Sequence, residues 1–329
     1  MASRRTGTVA LIAAAAVVVA AVIAALVLGR GDGGPSGEPT SKAPSHKGAS
    51  PFTGLPGTVG PVLAVKIDNA RAARPQTGLG AADIVYVEQV EGGQTRFLAV
   101  YSSRMPPSAG PVRSARESDL ELLRQFGSPA FAYSGAQSRL YPLIAAAPVH
   151  DLRQGRAPSA YHRSDERPAP HNLYLRPQRA LDAAPGADRA RDIGFRFGDA
   201  PEGGRAADEH TVRFPTTTCT FTWSAEKRRW LVAVDREPLR TTDAGPLTPA
   251  TVVVQDVKVR PSRFRDRWGS VSPYTETVGS GAALVLRDGK AYRAHWSRPD
   301  PDGGTSFTTP SGKPMTFAPG QVWVVYRSR

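Results

Sequence analysis

AVKIDNARAARPQTGLGAADIVYVEQVEGGQTRFLAVYSS, residues 64–103, decides the fold. Three apolar runs rich in β-branched residues, 61–68, 83–90 and 95–102, each have the length of a strand and are separated by Asn, Pro and Gly breakers. Glu91-Gly92-Gly93-Gln94 joins the last two with hairpin chemistry, so the spacing predicts an antiparallel pair.

Outward from this stretch the pattern mixes. Leu120, Leu122, Leu123 and Phe126 recur near helical spacing within 114–126, with Ser114 and Glu117 in a capping-box arrangement and Gly127 as the stop. A short apolar strand at 129–133, helices at 138–146 and 176–184, and a polar stretch at 150–172 follow. Strands and helices intermixed on this scale predict an α/β or α+β domain over residues 51–200. Beyond it, runs at 220–223, 230–235, 251–260, 282–287, 290–296 and 321–326 read as strands, with an Asp288-Gly289 hairpin turn. Residues 201–329 are therefore expected to form a smaller, mostly β C-terminal domain without helices.

The N-terminal segment is of another kind. Residues 8–28 carry no charge and are nearly all Ala, Val, Leu or Ile, a length that crosses a hydrocarbon core of about 30 Å at about 1.5 Å rise per residue. This predicts one transmembrane helix, a signal anchor retained rather than cleaved. Arg4 and Arg5 before it, against Arg30 after it, put residues 1–7 in the cytoplasm and the rest outside. Residues 29–50, rich in Gly, Pro and Ser, read as a flexible spacer.

Among 329 residues the formal charge is +13, carried by 35 Arg and 7 Lys. In an extracytoplasmic chain such a surface favours anionic wall polymers or lipid headgroups, and topology argues against nucleic acid as the partner. The one cysteine, Cys219, excludes an intramolecular disulfide and a cysteine-based zinc cage, and its setting TTTCTF reads as a buried strand position.

Several stretches resemble the YerB-like lipoproteins, bacterial proteins catalogued as domain of unknown function 3048. These are PFTGLP at 51–56, the quoted segment 64–103, GPVRSAR at 110–116, APHNLY at 169–174, and TVVVQDVKVRP, VGSGAALVLRDGKAYRAHWSR and PGQVWVVY toward the end. The resemblance implies a two-domain division and an envelope location, and no established activity. Members commonly open with an acylated cysteine. This sequence has none before Cys219, so the apolar helix is expected to serve as the anchor.

The densest polar cluster expected at strand ends supplies the candidate site. Arg74, Arg96, Arg113 and Arg116 are candidate anion or phosphate ligands, because guanidinium forks match phosphate and carboxylate oxygens in pairs. Asp68, Asn69, Asp83 and Glu91 are candidate polar partners, together with His171 and Asn172 from the APHNLY segment. His150, His162, Asp151 and Asp165 lie in the same polar stretch but match no metal-ligand spacing.

Ser224-Ala225-Glu226-Lys227 has the form S-x-x-K but falls between two strand-like segments and reads as a turn. Arg260, Arg263, Arg265 and Arg267, with Phe264 and Trp268, read as a solvated basic loop. No G-x-S-x-G, phosphate-loop or H-x-x-x-H motif occurs. A non-catalytic envelope protein is favoured, without cofactor, binding an anionic wall polymer, a lipid carrier or a protein partner. The alternative is a magnesium-dependent phosphoryl or glycopolymer transferase resembling the LytR-CpsA-Psr ligases, with Asp68 or Asp83 acting beside Arg96, Arg113 and Arg116.

Overall fold

The structure, a computed structural model, describes residues 48–266 and 268–329. The expected cytoplasmic tail, membrane span and nearly all of the spacer lie outside the described residues. Among the described residues, no helix is long and apolar enough to cross a membrane.

The opening stretch forms β1 (Leu63–Asp68), β2 (Ile84–Gln89) and β3 (Thr95–Tyr101), followed by helix α1 (Glu117–Leu123) and strand β4 (Ala130–Ala132). Helix α2 (Tyr141–Ala146), strand β5 (His150–Asp151) and helix α3 (Pro177–Asp182) complete the first half. The second half begins with β6 (Glu209–Arg213), β7 (Thr218–Ser224) and β8 (Arg229–Val234). Next come β9 (Thr251–Val257), β10 (Val259–Arg265), β11 (Val271–Thr275), β12 (Gly279–Arg287) and β13 (Lys290–Arg298). The last two are β14 (Ser306–Thr308) and β15 (Val322–Ser328). The second half is mostly β, with no helix after α3 among the described residues.

One sheet runs through both halves. Its order is β14-β13-β12-β9-β15-β2-β3-β1-β4-β5, with the short strand Arg205–Ala206 also paired to β13. The junction is β2 beside β15, parallel, from Ile84 opposite Val322 to Val87 opposite Val325. β3 runs antiparallel to both β1 and β2, while β1 is parallel to β4 and β15 is parallel to β9. Strands β1, β2, β4, β5, β9 and β15 therefore all point one way, and their carboxyl ends share one edge.

Both faces of this sheet are covered, which is why its central strands are apolar at successive positions instead of alternating. One face carries Val65, Val85, Phe97, Val254 and Trp323 and packs against the smaller sheet of β6–β8 through Phe221, Trp230 and Val232. The other carries Ala64, Tyr86, Leu98, Val253 and Val324 and packs against Leu122 and Leu123 of α1 and Ile144 of α2. Cys219 is fully buried in the first of these layers, where burial pushes its thiol up to about 12.

Three expectations need correction. Helix α1 starts at Glu117 with Arg116 as its N-cap, and Asp119, not Glu117, closes the box by accepting the Arg116 backbone N–H at 2.6 Å. Ser114 lies outside the helix because its carbonyl is turned to the Arg96 guanidinium, 3.0 Å away. Residues 251–260 are two strands broken at Lys258, since β10 leaves the main sheet to pair with β11. The basic segment near 260–268 is thus mostly strand, with Phe264 buried beneath it and Trp268 exposed at the tip. The turn expected at Asp288-Gly289 is present, with φ of 51° and 68° at its two central residues.

Trp323 joins the parts: its ring meets Phe97 at 5.4 Å and Phe221 at 6.1 Å, both edge to face. Trp323→Ala is expected to cost about 3–5 kcal/mol, the usual range for emptying an aromatic core position. Denaturant unfolding should show one transition reported alike by probes in residues 51–200 and 201–329. Two separated transitions would contradict a sheet shared by the halves.

Candidate functional site: an arginine cleft at the carboxyl ends of the strands

Register places the polar residues. Asp68 of β1, Arg96 of β3 and Glu88 of β2 are direct neighbours in one row across three strands, on the face that meets α1. The row sits at the carboxyl end of β1 and β2, the edge where parallel α/β sheets leave room for ligands. Two residues back, Lys66 shares that face and is completely buried.

Lys66 is held by two carboxylates, its Nζ 2.7 Å from Glu88 Oε2 and 2.6 Å from Asp119 Oδ1. One buried cation between two buried acids is neutral only if one acid keeps its proton. Burial pushes Glu88 up to about 7, with Asp119 acting in the same direction and Lys66 opposing. Glu88 Oε1 is buried without a hydrogen-bond partner, as expected of an oxygen left over in such a trio.

Above the row lies a cleft of about 920 Å³. Three of the four candidate arginines converge on it: Arg96 from β3, and Arg113 and Arg116 from the segment leading into α1. The hairpin β10–β11 supplies the far wall with Phe264, Arg265, Trp268 and Ser272.

The carboxylates nearby are already engaged. Glu91 accepts from Arg116 Nη2 at 2.5 Å and from the Ser272 hydroxyl. Burial alone would raise Glu91, but the Arg116 hydrogen bond and charge outweigh it and hold Glu91 below the usual range. Glu117 accepts from Ser262 Oγ at 2.5 Å, and Asp266 accepts the backbone N–H groups of Trp268 and Ser270.

The guanidiniums are not fully engaged. Arg96 has five donors, of which one reaches Ser114 O at 3.0 Å, and among the described residues it has no carboxylate ion pair. Burial, helped by the charges of Arg116 and Arg113 against those of Glu91 and Asp68, draws Arg96 down to about 9. It stays cationic at neutral pH and would be relieved by an anion. The Nε atoms of Arg113 and Arg116 are likewise buried without hydrogen-bond partners. Arg113 Nε lies 3.0 Å from Asp68 Oδ2, so the charges are paired while the N–H itself is not aligned on the oxygen.

Beside the cleft, Asp68 Oδ2 also meets His171 Nδ1 at 2.9 Å. Asn69 donates to Thr95 Oγ1 at 2.8 Å and supports the turn after β1.

The remaining candidates fall elsewhere. Arg74 binds Asn69 O at 2.8 Å and Asp235 at 2.9 Å, tying the loop after β1 to the smaller sheet, and does not line the cleft. Asp83 precedes β2, about 20 Å from the carboxyl edge at roughly 3.3 Å per residue. There its carboxylate accepts the N–H groups of Ser102 and Ser103 at 2.6 and 2.9 Å, and burial, only partly offset by those bonds, raises its pKa. Asn172 accepts from Arg163 at 2.7 Å across a small hairpin and is a local brace.

A transferase constellation using Asp83 is therefore not assembled. Among the described residues no group of three His, Cys, Asp or Glu side chains is arranged to hold a metal. Ser224-Ala225-Glu226-Lys227 is a turn, as expected.

Lys66, Glu88 and Asp119 escaped the sequence reading, although Lys66 is a lone cation in an apolar run at the same parity as Asp68. Ser272 gave no local signal and Trp268 was read only as part of a solvated basic loop, because only the folding back of β10–β11 brings them to the cleft.

Two family models match the sequence. "Protein of unknown function (DUF3048) N-terminal domain" covers residues 52–190, and the C-terminal domain of the same family covers 210–324. The chain is 28% identical over 273 residues to "Putative lipoprotein YerB" of Bacillus subtilis, spanning 80% of each chain. The crystal structure of YerB from Bacillus subtilis shares the fold with a TM-score of 0.71 at 23% identity, covering 84% of this chain and 96% of that one.

The trio predicts a pH dependence. A carboxyl whose folded-state value lies near 7 stabilises the fold fully below its ordinary value of 4.5 and loses that contribution as pH rises through 7. Thermal stability should therefore fall between pH 4.5 and 7, and Glu88→Gln should flatten that slope, leaving Lys66 paired with Asp119. An unchanged slope in Glu88→Gln would place the titration on another group.

Proposed function

Since the chain belongs to the DUF3048 family, whose two domains it carries in order, we propose that it is an extracytoplasmic envelope protein that binds an anionic component of the wall or membrane in the arginine cleft. One observation carries the reading. Arg96, Arg113 and Arg116 face one cleft, and although Arg113 is ion-paired with Asp68 and Arg116 with Glu91, Arg96 has no carboxylate partner among the described residues and most of its donors are unused. Phosphate and carboxylate oxygens are the groups that such forks accept in pairs.

The YerB relative is named as a lipoprotein, and that name supports a membrane-attached location for this chain. Cys219 is fully buried in the core and is not available for acylation in the folded protein. Anchorage through residues 8–28 as a single-pass helix is accordingly part of the proposal, with the spacer leading to a cleft outside the membrane. The role proposed is binding, with selectivity set by the cleft.

Arg96→Gln separates this role from a structural one. Arg96 is half-buried and has no carboxylate ion pair among the described residues, so removing its charge relieves part of a desolvation cost and the melting temperature should hold or rise. Affinity for inorganic pyrophosphate, measured by calorimetry on the full-length protein in detergent, should fall by about tenfold or more, since a charge-assisted hydrogen bond contributes about 1.5–3 kcal/mol. A lower melting temperature with pyrophosphate affinity unchanged would show that Arg96 is there to hold the fold.

A further inference from the structure

The cleft is far larger than one phosphate, and its outer wall is unlike its floor. At about 920 Å³ it has the volume of sites that take ligands of several rings. The floor is the arginine cluster. The outer wall is the tip of β10–β11, where Trp268 stands 77% exposed, the most exposed of the large hydrophobic side chains among the described residues. Its position is built: Asp266 Oδ1 accepts both the Trp268 and the Ser270 backbone N–H at 2.9 Å, and Arg265 Nη1 donates to Gly269 O across the same turn.

Between floor and wall the cleft presents hydroxyl and amide groups from Gln94, Gln137, Ser138, Ser270 and Ser272 interspersed with apolar surface of comparable extent. Leu140 and Phe264 also line the cleft but are themselves 2% and 7% exposed, so they offer little apolar surface.

We infer that the ligand is a sugar phosphate or phosphate-linked glycan, its phosphate on Arg96, Arg113 and Arg116 and a sugar ring lying on the Trp268 indole. This rests on the anion-binding reading and names the chemical class of the ligand. A sugar presents a flat apolar C–H face, which an exposed indole covers, and a rim of hydroxyls, which the Gln and Ser side chains can bond. An acyl or isoprenoid chain would leave the Gln and Ser groups along these walls without hydrogen-bond partners. A nucleobase would fit best between two planar surfaces, and among the described residues one indole lines the cleft.

The test compares glucose 1-phosphate, N-acetylglucosamine 1-phosphate, inorganic phosphate and uridine monophosphate as probes, on the full-length protein in detergent. Calorimetry is paired with tryptophan fluorescence, which reports the exposed Trp268 against the half-buried Trp223 and the buried Trp230, Trp296 and Trp323, with Trp268→Ala identifying its share. At least one sugar phosphate should bind about tenfold tighter than inorganic phosphate and quench the exposed emission, tenfold being about 1.4 kcal/mol, within the range of a ring stacked on an aromatic side chain. Trp268→Ala should remove that advantage and leave inorganic phosphate binding as it was, while Trp268→Phe keeps most of it.

Equal binding of inorganic phosphate and both sugar phosphates, insensitive to Trp268→Ala, overturns the sugar subsite and leaves the anion cleft standing. Tighter binding of uridine monophosphate than of either sugar phosphate, dependent on Trp268, overturns the sugar in favour of a base. No binding of any probe overturns the anion cleft together with this inference.

Discussion

The pairing of β2 with β15 is the constraint on which the rest depends. A strand from residues 84–89 and the last strand of the chain lie parallel and adjacent, so the main sheet cannot be completed by either half alone. Parallel neighbours have no tight turn between them and need a long crossover. Here the crossover is most of the protein, including the smaller sheet of β6–β8 that covers the apolar face on which Trp323 lies. The chain thus has two family domains in sequence and one shared sheet in space. Because β1, β2 and β4 enter that sheet in the same direction, their carboxyl ends meet at one edge, where Asp68, Glu88, Arg96, Arg113 and Arg116 gather.

What sequence reading recovered, and what it did not, follows from the range of the interactions. The three strands of residues 63–101, the Glu91–Gln94 turn and the Asp288-Gly289 turn are local events, written in periodicity and turn chemistry, and they formed as expected. The convergence of Arg96, Arg113 and Arg116 was legible because residue type and strand-end position pointed the same way. Asp83 misled for the same reason: it also borders a strand, but at the amino end, and the direction of a strand relative to its neighbours is not encoded in its own residues. Residues 260–268 looked like a loop because their apolar side is reduced to Phe264. Their pairing partner, β11, is itself short and interrupted by Pro273.

The buried trio shows how a cost in the core serves the surface. Placing Lys66, Glu88 and Asp119 out of water is unfavourable unless each charge is matched, and the match leaves one oxygen of Glu88 without a partner. Three apolar residues of similar volume would pack more favourably there. The trio instead fixes geometry. Lys66 binds Oδ1 of Asp119, and the other oxygen of the same carboxylate accepts the backbone N–H of Arg116.

That bond links the interior of the sheet to the cleft through two hydrogen bonds. The ammonium of Lys66 orients Asp119, Asp119 fixes the start of α1, and the start of α1 sets where the Arg116 guanidinium meets Glu91. A long, flexible arginine on a free loop would lose conformational entropy each time it closed on an anion. Here Arg116 is held by Glu91, and Arg96 is held by the Ser114 carbonyl on the strand-to-helix segment. Under the anion-binding proposal, that ordering would already be in place before a ligand arrives. What remains open in the cleft is charge and hydrogen-bonding capacity, above all on Arg96, and that is the capacity the proposed anion binding would use.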